Sequence, residues 1–285
     1  MPRRVFLFIS DTHAGHVLGL LNPRTSLVRT DPGTGKDERW TPELTETQRQ
    51  LWEEYTDDIT QAVAFTHGDE LLVAHVGDVT QGENHGPLIP QTTLEDQRQI
   101  GYMNMVPLAT LPNVKTFRFL TGTAIHVPES AEARIAAKLR RTSGKDAACY
   151  HHERASVDGV VFDLAHHGPP PGSRDWLEGN VALYYLRDRI YRDRRLGKEP
   201  ASVYVRGHFH HWVHVTLHET YGGSHRQHDL VVLPSFCGLG DYARKVTRTD
   251  PSLTTGIGLF EVDGGRLGEI RPVTQVWDLR EEEAL

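Results

Sequence analysis

Residues 5–13 read VFLFISDTH, a run of five apolar residues followed by four polar ones. A run this short, rich in Val, Leu and Phe, is typical of a strand buried on both faces. Four more short apolar runs, each ending in polar or glycine residues, occupy residues 71–76, 116–120, 160–165 and 202–205. The pattern predicts a sheet that brings polar strand ends to one edge, where open α/β sheets bind ligands.

Helical periodicity fills much of the chain between these runs, with apolar residues at helical spacing in residues 45–65, 130–141 and 180–196. Thr41 followed by Pro42 predicts the start of the first helix, and Ser130 is expected to cap the second. Strand patterns return at residues 229–234, 256–262 and 268–277, and Gly264 with Gly265 predicts a hairpin turn between the last two. The alternation predicts an α/β fold.

Length and composition limit the classes of protein to which the chain can belong. With 285 residues it is expected to form one domain, 1–285, with a loop and helix insertion at about 14–65. The net charge of −7, from 31 basic and 38 acidic residues, argues against a protein that coats nucleic acid through its overall field. It leaves room for a local basic patch. The oligomeric state is left open.

Two cysteines, Cys149 and Cys237, are too few for a disulfide framework and indicate a reducing compartment. The apolar runs are too short to span a bilayer, so no membrane partner is expected. The N-terminal run ends at Asp11 without a small-residue cleavage site and is interpreted as a strand. A cytoplasmic protein is the expectation.

The polar strand ends together carry two carboxylates and at least four imidazoles. Asp11 and His13 are two residues apart, as are His208 and His210, so each pair points the same way on an extended segment. This set, with no thiolate, exceeds the three ligands of a catalytic zinc site and suits two adjacent divalent ions bridged by a carboxylate. Such ligands favour Mn²⁺, with Fe, Zn²⁺ or Ni²⁺ as alternatives. The candidate ligands are Asp11, His13, Asp78, His166, His208 and His210.

Four motifs in a fixed order resemble the calcineurin-like metallophosphoesterase family: DTH at 11–13, GDVTQG at 77–82, HHG at 166–168 and GHFH at 207–210. The resemblance implies a four-layer α/β/β/α sandwich, in which helices flank two facing mixed sheets. It also implies hydrolysis of phosphoesters by a hydroxide that bridges two metal ions. By the same resemblance, Asp11, His13 and His210 hold metal one, His166 and His208 hold metal two, and Asp78 bridges them.

The third family motif, Gly-Asn-His, is altered here. Residues 122–127 read GTAIHV, which places Thr123 where Asn is expected and His126 two residues late. Asn84 and His85 follow GDVTQG instead, and in this the chain is similar to phage-type branches of the family. The second metal's remaining ligand could be Asn84, Thr123 or His126. The acid that protonates the leaving group could be His126 or His85, with His126 favoured because its motif ends the third strand. His166 and His167 are alternatives as the ligand from HHG.

Several other residues carry simpler interpretations. His75 lies inside an apolar run and is expected to be structural, and His225 and His228 are expected in a surface loop. Arg206 adjoins the GHFH motif and is a candidate phosphate contact. The arginines of residues 180–196 favour a solvated helix face; the functional alternative is a surface that steers phosphates and suits a polynucleotide.

The sequence therefore predicts a dinuclear metal-dependent phosphoesterase, more specifically a phosphodiesterase or nuclease. The expected partner is a phosphoester substrate, with nucleic acid or a nucleotide as candidates. The alternatives are a phosphomonoesterase acting on proteins or nucleotides, and a non-catalytic metal-binding protein on the same fold.

Overall fold

Two larger sheets, a small hairpin and four helices organise the described residues. The structure is a computed structural model that describes residues 2–31, 33–84, 86–127, 130–170, 179–240 and 252–280. The strands are β1 (Arg4–Ile9), β2 (Leu27–Thr30), β3 (Asp37–Trp40), β4 (Glu70–His75), β5 (Val114–Leu120), β6 (Asp146–Tyr150), β7 (Glu153–Val157), β8 (Val160–Leu164), β9 (Val203–Arg206), β10 (Val213–Tyr221), β11 (Ser224–Val232), β12 (Ser252–Asp263) and β13 (Arg266–Asp278). The helices are α1 (Glu46–Thr66), α2 (Leu94–Thr110), α3 (Ala131–Ser143) and α4 (Asn180–Arg195).

The order of strands brings the polar strand ends together. The first sheet runs β13-β12-β1-β4-β5-β6, and its strands β1, β4, β5 and β6 are parallel. The second sheet runs β10-β11-β9-β8-β7, with β8, β9 and β11 parallel. Because parallel neighbours end at the same edge, the segments after β1, β4 and β5 lie side by side, as do those after β8 and β9.

The two faces of β1 belong to different apolar clusters. Val5, Leu7 and Ile9 lie in a cluster that includes Leu51 of α1 and Leu139 of α3. The alternate side chains, Phe6 and Phe8, lie in a cluster with residues of the second sheet, among them Phe162 and Val205. A third cluster joins α4 to the second sheet through Leu186, Ile190, Tyr204 and Leu230. The chain is thus a mixed α/β protein in which β1 is apolar on both sides.

Most predicted elements are confirmed, with small shifts at their ends. The five predicted apolar runs form strands β1, β4, β5, β8 and β9. Helices α1, α3 and α4 and the hairpin between β12 and β13 are also present. Helix α2 was not predicted. His225 and His228 lie in strand β11, so their assignment to a surface loop was wrong. His228 is buried, and its ring nitrogens bond to the carbonyl oxygen of Ala201 (2.7 Å) and to Glu219 Oε1 (3.1 Å).

No helix in the described ranges combines the length and the apolar character that crossing a bilayer requires.

Thr45, four residues after the predicted cap Thr41, caps helix α1. Its Oγ1 accepts a hydrogen bond from the Gln48 amide (3.2 Å), and Gln48 Oε1 accepts one from the Thr45 amide (3.1 Å). Gln48 Nε2 also donates to the carbonyl oxygens of His16 and Gly19, in the segment after the DTH motif. The capping box therefore fixes both the helix and that segment.

We expect Thr45→Ala to lower the free energy of unfolding by about 1 kcal/mol, the usual cost of a lost N-cap. Thr41→Ala is the matched control, because Thr41 is exposed and lies outside the cap. Urea denaturation of both variants measures the difference. Equal losses in the two variants would contradict the assignment of the cap to Thr45.

Candidate metal centre

The segments after five strands converge on one cluster of polar side chains. Backbone hydrogen bonds hold the first two segments together, from the Asp11 amide to the Gly77 carbonyl (3.1 Å) and from the His13 amide to the Asp78 carbonyl (3.1 Å). The Gly207 amide donates to the His166 carbonyl (2.9 Å), which joins the segments after β8 and β9. The positions of the side chains are therefore set by the sheet backbone.

Five of the predicted ligands have a left-handed backbone. Their φ angles are positive although none is glycine, at 52° for Asp11, 43° for His13, 51° for Asp78, 78° for His208 and 53° for His210. Such conformations are uncommon in L residues and concentrate at functional sites, where the surrounding structure holds them. They turn the chain sharply just beyond β1, β4 and β9.

One group of potential metal ligands comprises Asp11, His13 and His210, whose donor atoms all lie within 4.8 Å of one another. His210 Nε2 is 3.3 Å from both Asp11 Oδ1 and His13 Nε2. The Nδ1 atom of His13 is paired with Gln81 Oε1 at 2.8 Å. If His13 donates from Nδ1, its Nε2 lone pair faces the other two donors, as ligating histidines usually do.

Two further groups share members with the first. Asp11, Asp78 and His166 form one, and His166, His167 and His208 form the other. His166 Nδ1 bonds to the Val76 carbonyl (2.7 Å), which leaves Nε2 3.0 Å from Asp78 Oδ2 and 4.0 Å from Asp11 Oδ1. Asp11 and His166 each belong to two groups, so the three groups form one continuous set of donors.

Two buried atoms at the centre of this set have no hydrogen-bond partner. Asp11 Oδ2 accepts bonds from Ser10 Oγ (2.5 Å) and the His208 amide (3.0 Å), but Asp11 Oδ1 accepts none. His166 Nε2 lies near Asp78 but is not aligned for a hydrogen bond. Leaving a buried carboxylate oxygen unpaired costs several kcal/mol, and a cation bound there would compensate it. The donor set fits a divalent metal ion.

At neutral pH the electrostatics of the site keep Asp11 ionised and His13 and His208 neutral, which are the states that bind metal, but leave His166 protonated. Burial, together with the neighbouring His210, lowers the pKa of His13 to about 3. Burial and His166 lower the pKa of His208 to about 4. Burial opposes ionisation of Asp11, yet His166 and His210 hold its pKa well below the usual value. For His166, burial is outweighed by the carboxylates, which raise its pKa to about 9. Metal binding at His166 must therefore displace a proton.

Thr123 contacts the Asp78 carboxylate. Its amide donates to Asp78 Oδ1 (2.6 Å), and its hydroxyl lies 3.2 Å from Asp78 Oδ2 and 3.3 Å from His208 Nδ1. Asn84 is exposed, and its backbone carbonyl accepts a hydrogen bond from Gln81 Nε2 (3.1 Å). Of the candidates for the remaining ligand, Thr123 is thus at the cluster and Asn84 is at the surface. His167 contributes to one of the three groups, beside His166 and not instead of it.

His126 borders the cluster. Its ring meets that of His13 edge to face with centroids 4.8 Å apart, and its Nδ1 bonds to the Gln81 carbonyl (2.8 Å). His85, the other candidate acid, lies outside the described residues. Gln81 was missed by the sequence analysis, although it contacts His13 through its side chain and His126 through its backbone. Its place in the GDVTQG motif was the only signal.

Two neighbouring residues have structural roles. Arg206 is fully buried, and its guanidinium bonds to Asp163 Oδ1 (2.6 Å) and to the Tyr185 hydroxyl (2.9 Å). The proposed contact of Arg206 with phosphate was therefore wrong. His75 is buried as expected, with Nε2 3.0 Å from the hydroxyl of Thr12, the residue between Asp11 and His13.

Comparison with known proteins leaves the family of the chain undetermined. No protein-family model matches the sequence, and no curated protein matches it. Among solved structures, the chain is similar to the crystal structure of Chaetomium thermophilum Vps29, with 9% sequence identity and a TM-score of 0.29 over 97% of this chain and 98% of that one. A TM-score this low does not establish a shared fold, so functional inference depends on the geometry of the site.

Gly207 is required where β9 approaches the segment after β1. A Cβ atom added to Gly207 would lie 2.8 Å from Asp11 Oδ2 and closer still to Ser10 Oγ. We expect Gly207→Ala to displace Asp11 and to weaken Mn²⁺ binding at least tenfold, measured by isothermal titration calorimetry. Gly33→Ala is the control, since its Cβ would meet only Asp31 Oδ1 at 3.3 Å. Unchanged Mn²⁺ affinity in Gly207→Ala would contradict this close approach.

Proposed function

We propose that this chain is a dinuclear metal-dependent phosphoesterase, and more specifically a phosphodiesterase or nuclease. The observation that carries the proposal is the unpaired, buried Oδ1 of Asp11, surrounded by nitrogen atoms of three histidines at 3.3–4.0 Å. We also propose that the chain is a single domain with the four-layer sandwich of calcineurin-like metallophosphoesterases, in a phage-type branch. The four ordered motifs and the three apolar clusters support this part of the proposal.

The proposed ligand assignment follows the three groups of donors. Asp11, His13 and His210 would hold one ion, and His166 and His208 the other, with Asp78 between them. His167 is added as a candidate ligand of the second ion, in preference to the exposed Asn84. Two divalent ions, with Mn²⁺ expected, would supply Lewis-acid activation of water and of the phosphoryl group.

His126 is proposed as the residue that protonates the leaving group. Its Nδ1 donates a hydrogen bond to the Gln81 carbonyl, which orients the ring. Nε2 is therefore the nitrogen that would transfer the proton. A histidine so placed can donate a proton to the alkoxide oxygen as the bond between that oxygen and phosphorus breaks at the neighbouring metal centre. Gln81 acts as a positioning residue, since it also contacts His13.

Metal content tests the dinuclear site directly. We expect the chain, reconstituted with Mn²⁺ and dialysed, to hold close to two ions, and Asp11→Asn and Asp78→Asn each to hold fewer. Both variants should lose hydrolysis of bis(p-nitrophenyl) phosphate by at least a hundredfold, because each removes a charge from the donor set. Asp57→Asn, on the exposed face of α1, is the control. A wild-type protein that retains no Mn²⁺ would refute the proposal. Two bound ions without hydrolysis of any phosphoester would favour the non-catalytic alternative.

The identity of the general acid is tested with leaving groups of different pKa. We expect His126→Ala to slow hydrolysis of a diester with a poor alkyl leaving group by about 10² to 10⁴, and that of a p-nitrophenyl diester far less. His85→Ala provides the comparison and His218→Ala, at an exposed position of β10, the control. If His85→Ala shows the larger dependence on the leaving group, His85 is the acid.

A further inference from the structure

Among the residues that the structure describes, exposed apolar and aromatic side chains concentrate on the outward surface of α4. Nine large apolar or aromatic side chains are exposed among the described residues, and four belong to α4 or its C-cap: Val181, Tyr184, Tyr191 and Leu196. A fifth, Tyr221, ends the neighbouring strand β10, where the Arg194 guanidinium lies 3.9 Å from its ring centroid. Singly exposed apolar side chains are ordinary, whereas a cluster of five indicates an interaction surface.

The two helix tyrosines are not needed to hold the helix in place. Helix α4 packs on the second sheet through Ala182, Leu186 and Ile190, which are buried. Tyr184 and Tyr191 are on the other side of the helix, with 69% and 66% of their surface exposed. They are seven residues apart, which is two helical turns or about 10 Å along the axis.

The same surface is basic on an otherwise acidic protein. Helix α4 contains five arginines and two aspartates, whereas the whole chain has a net charge of −7. Its aspartates are already engaged, Asp188 by Arg189 and Asp193 by Arg154 and the Tyr204 hydroxyl. The described ion pairs of the helix arginines involve Arg189 and Arg194. The remaining three are exposed beside the tyrosines: Arg187, Arg192 and Arg195.

We propose that the surface formed by Tyr184, Arg187, Tyr191, Arg192 and Arg195 binds single-stranded nucleic acid. Planar rings that stack on bases, interleaved with cations that contact phosphates, are how proteins hold single strands without reading their sequence. An acidic peptide would use the arginines but would gain little from the exposed faces of the tyrosine rings. The paired tyrosines therefore favour a polynucleotide.

Helix α4 contacts strand β9, which leads into the candidate metal centre. The hydroxyl of Tyr185, next to Tyr184, accepts a hydrogen bond from Nε of Arg206 (2.9 Å), and Arg206 is two residues before His208. A single strand of nucleic acid on α4 would thus be bound by a helix that is hydrogen-bonded to β9, just before the proposed metal-binding segment. The inference that this nucleic acid is the substrate rests on the proposed function. The inference that α4 binds it does not.

Binding is measured by fluorescence anisotropy with a labelled oligothymidylate of about 20 nucleotides, in EDTA so that no hydrolysis occurs. We expect Arg187→Gln/Arg192→Gln/Arg195→Gln to weaken binding at least tenfold and to reduce the slope of log K against log salt by about 2. Tyr184→Ser/Tyr191→Ser should also weaken binding at least tenfold but leave the salt slope unchanged, since stacking releases no counterions.

The charge-matched control is Lys115→Gln/Arg140→Gln/Arg141→Gln, three exposed cations on β5 and α3. It should bind within twofold of the wild type. Equal loss in this control, an unchanged affinity in the tyrosine variant, or equal affinity for duplex DNA would overturn the inference. So would displacement of the oligonucleotide by polyglutamate at the same charge concentration, which would identify an acidic protein as the partner.

Parallel assays of the wild-type protein with Mn²⁺ separate this inference from the proposed function. Oligonucleotide binding without hydrolysis of bis(p-nitrophenyl) phosphate would contradict the proposed function alone. Hydrolysis without oligonucleotide binding would overturn the inference about α4 alone. Cleavage of the bound oligonucleotide by the wild type would support both.

Discussion

The site is arranged around a carboxylate oxygen that is sealed from water and has no hydrogen-bond donor. Asp11 Oδ1 faces Nε2 atoms of His13, His166 and His210, and the ring orientations of the first two are set by Gln81 and by the Val76 carbonyl. The lone pairs of neutral imidazoles and the charge of Asp11 repel one another unless a cation lies between them, either a metal ion or the proton that His166 holds when no metal is bound. The other contacts of the site serve to hold these groups in that unfavourable arrangement.

The fold supplies the rigidity that this arrangement requires. The segments after β1, β4 and β9 leave buried strands and turn at once through left-handed residues, each of which costs about 1 kcal/mol or more. Parallel neighbours make this possible, since the ends of β1, β4 and β5 are adjacent and bond to one another through their backbones. A small shift of any strand would separate donors that lie 3–4 Å apart, so the packing of β1 on both faces is a condition for the chemistry.

Sequence patterns predicted the five strands that lead into the site because buried strands are short, apolar and rich in Val and Phe, as residues 5–9 are, but they missed β2, β3, β6 and β7. They failed for α2 because its buried side includes polar residues. Gln97 bonds to both the amide and the carbonyl of Gly82 (2.8 and 2.9 Å), and Asn104 bonds to the Leu20 carbonyl and the Asn22 amide. These residues hold the loops that follow two of the motifs, and a search for apolar periodicity misses them. Spacing likewise placed six candidate ligands at strand ends, but the roles of Gln81 and Thr123 depend on contacts across strands.

The contacts of Gly122 and Thr123 indicate what residues 122–127, which read GTAIHV in place of a Gly-Asn-His motif, do in the site. Under the proposed family assignment Thr123 stands where the motif has asparagine, and both its amide and its hydroxyl approach the Asp78 carboxylate. The preceding Gly122 amide donates a hydrogen bond to Oε1 of Glu132 (3.3 Å), a buried acid in the first turn of α3. This bond anchors the loop to helix α3. This loop hydrogen-bonds to the Asp78 carboxylate. It would leave the remaining ligand positions of the second metal to imidazoles. An asparagine at this position would supply an oxygen ligand. Here His167, whose ring centroid lies 4.7 Å from that of His208, can supply a nitrogen ligand instead. A second site formed by three imidazoles would favour a softer ion than an amide oxygen does, so the change in the third motif bears on the choice of metal and not only on catalysis.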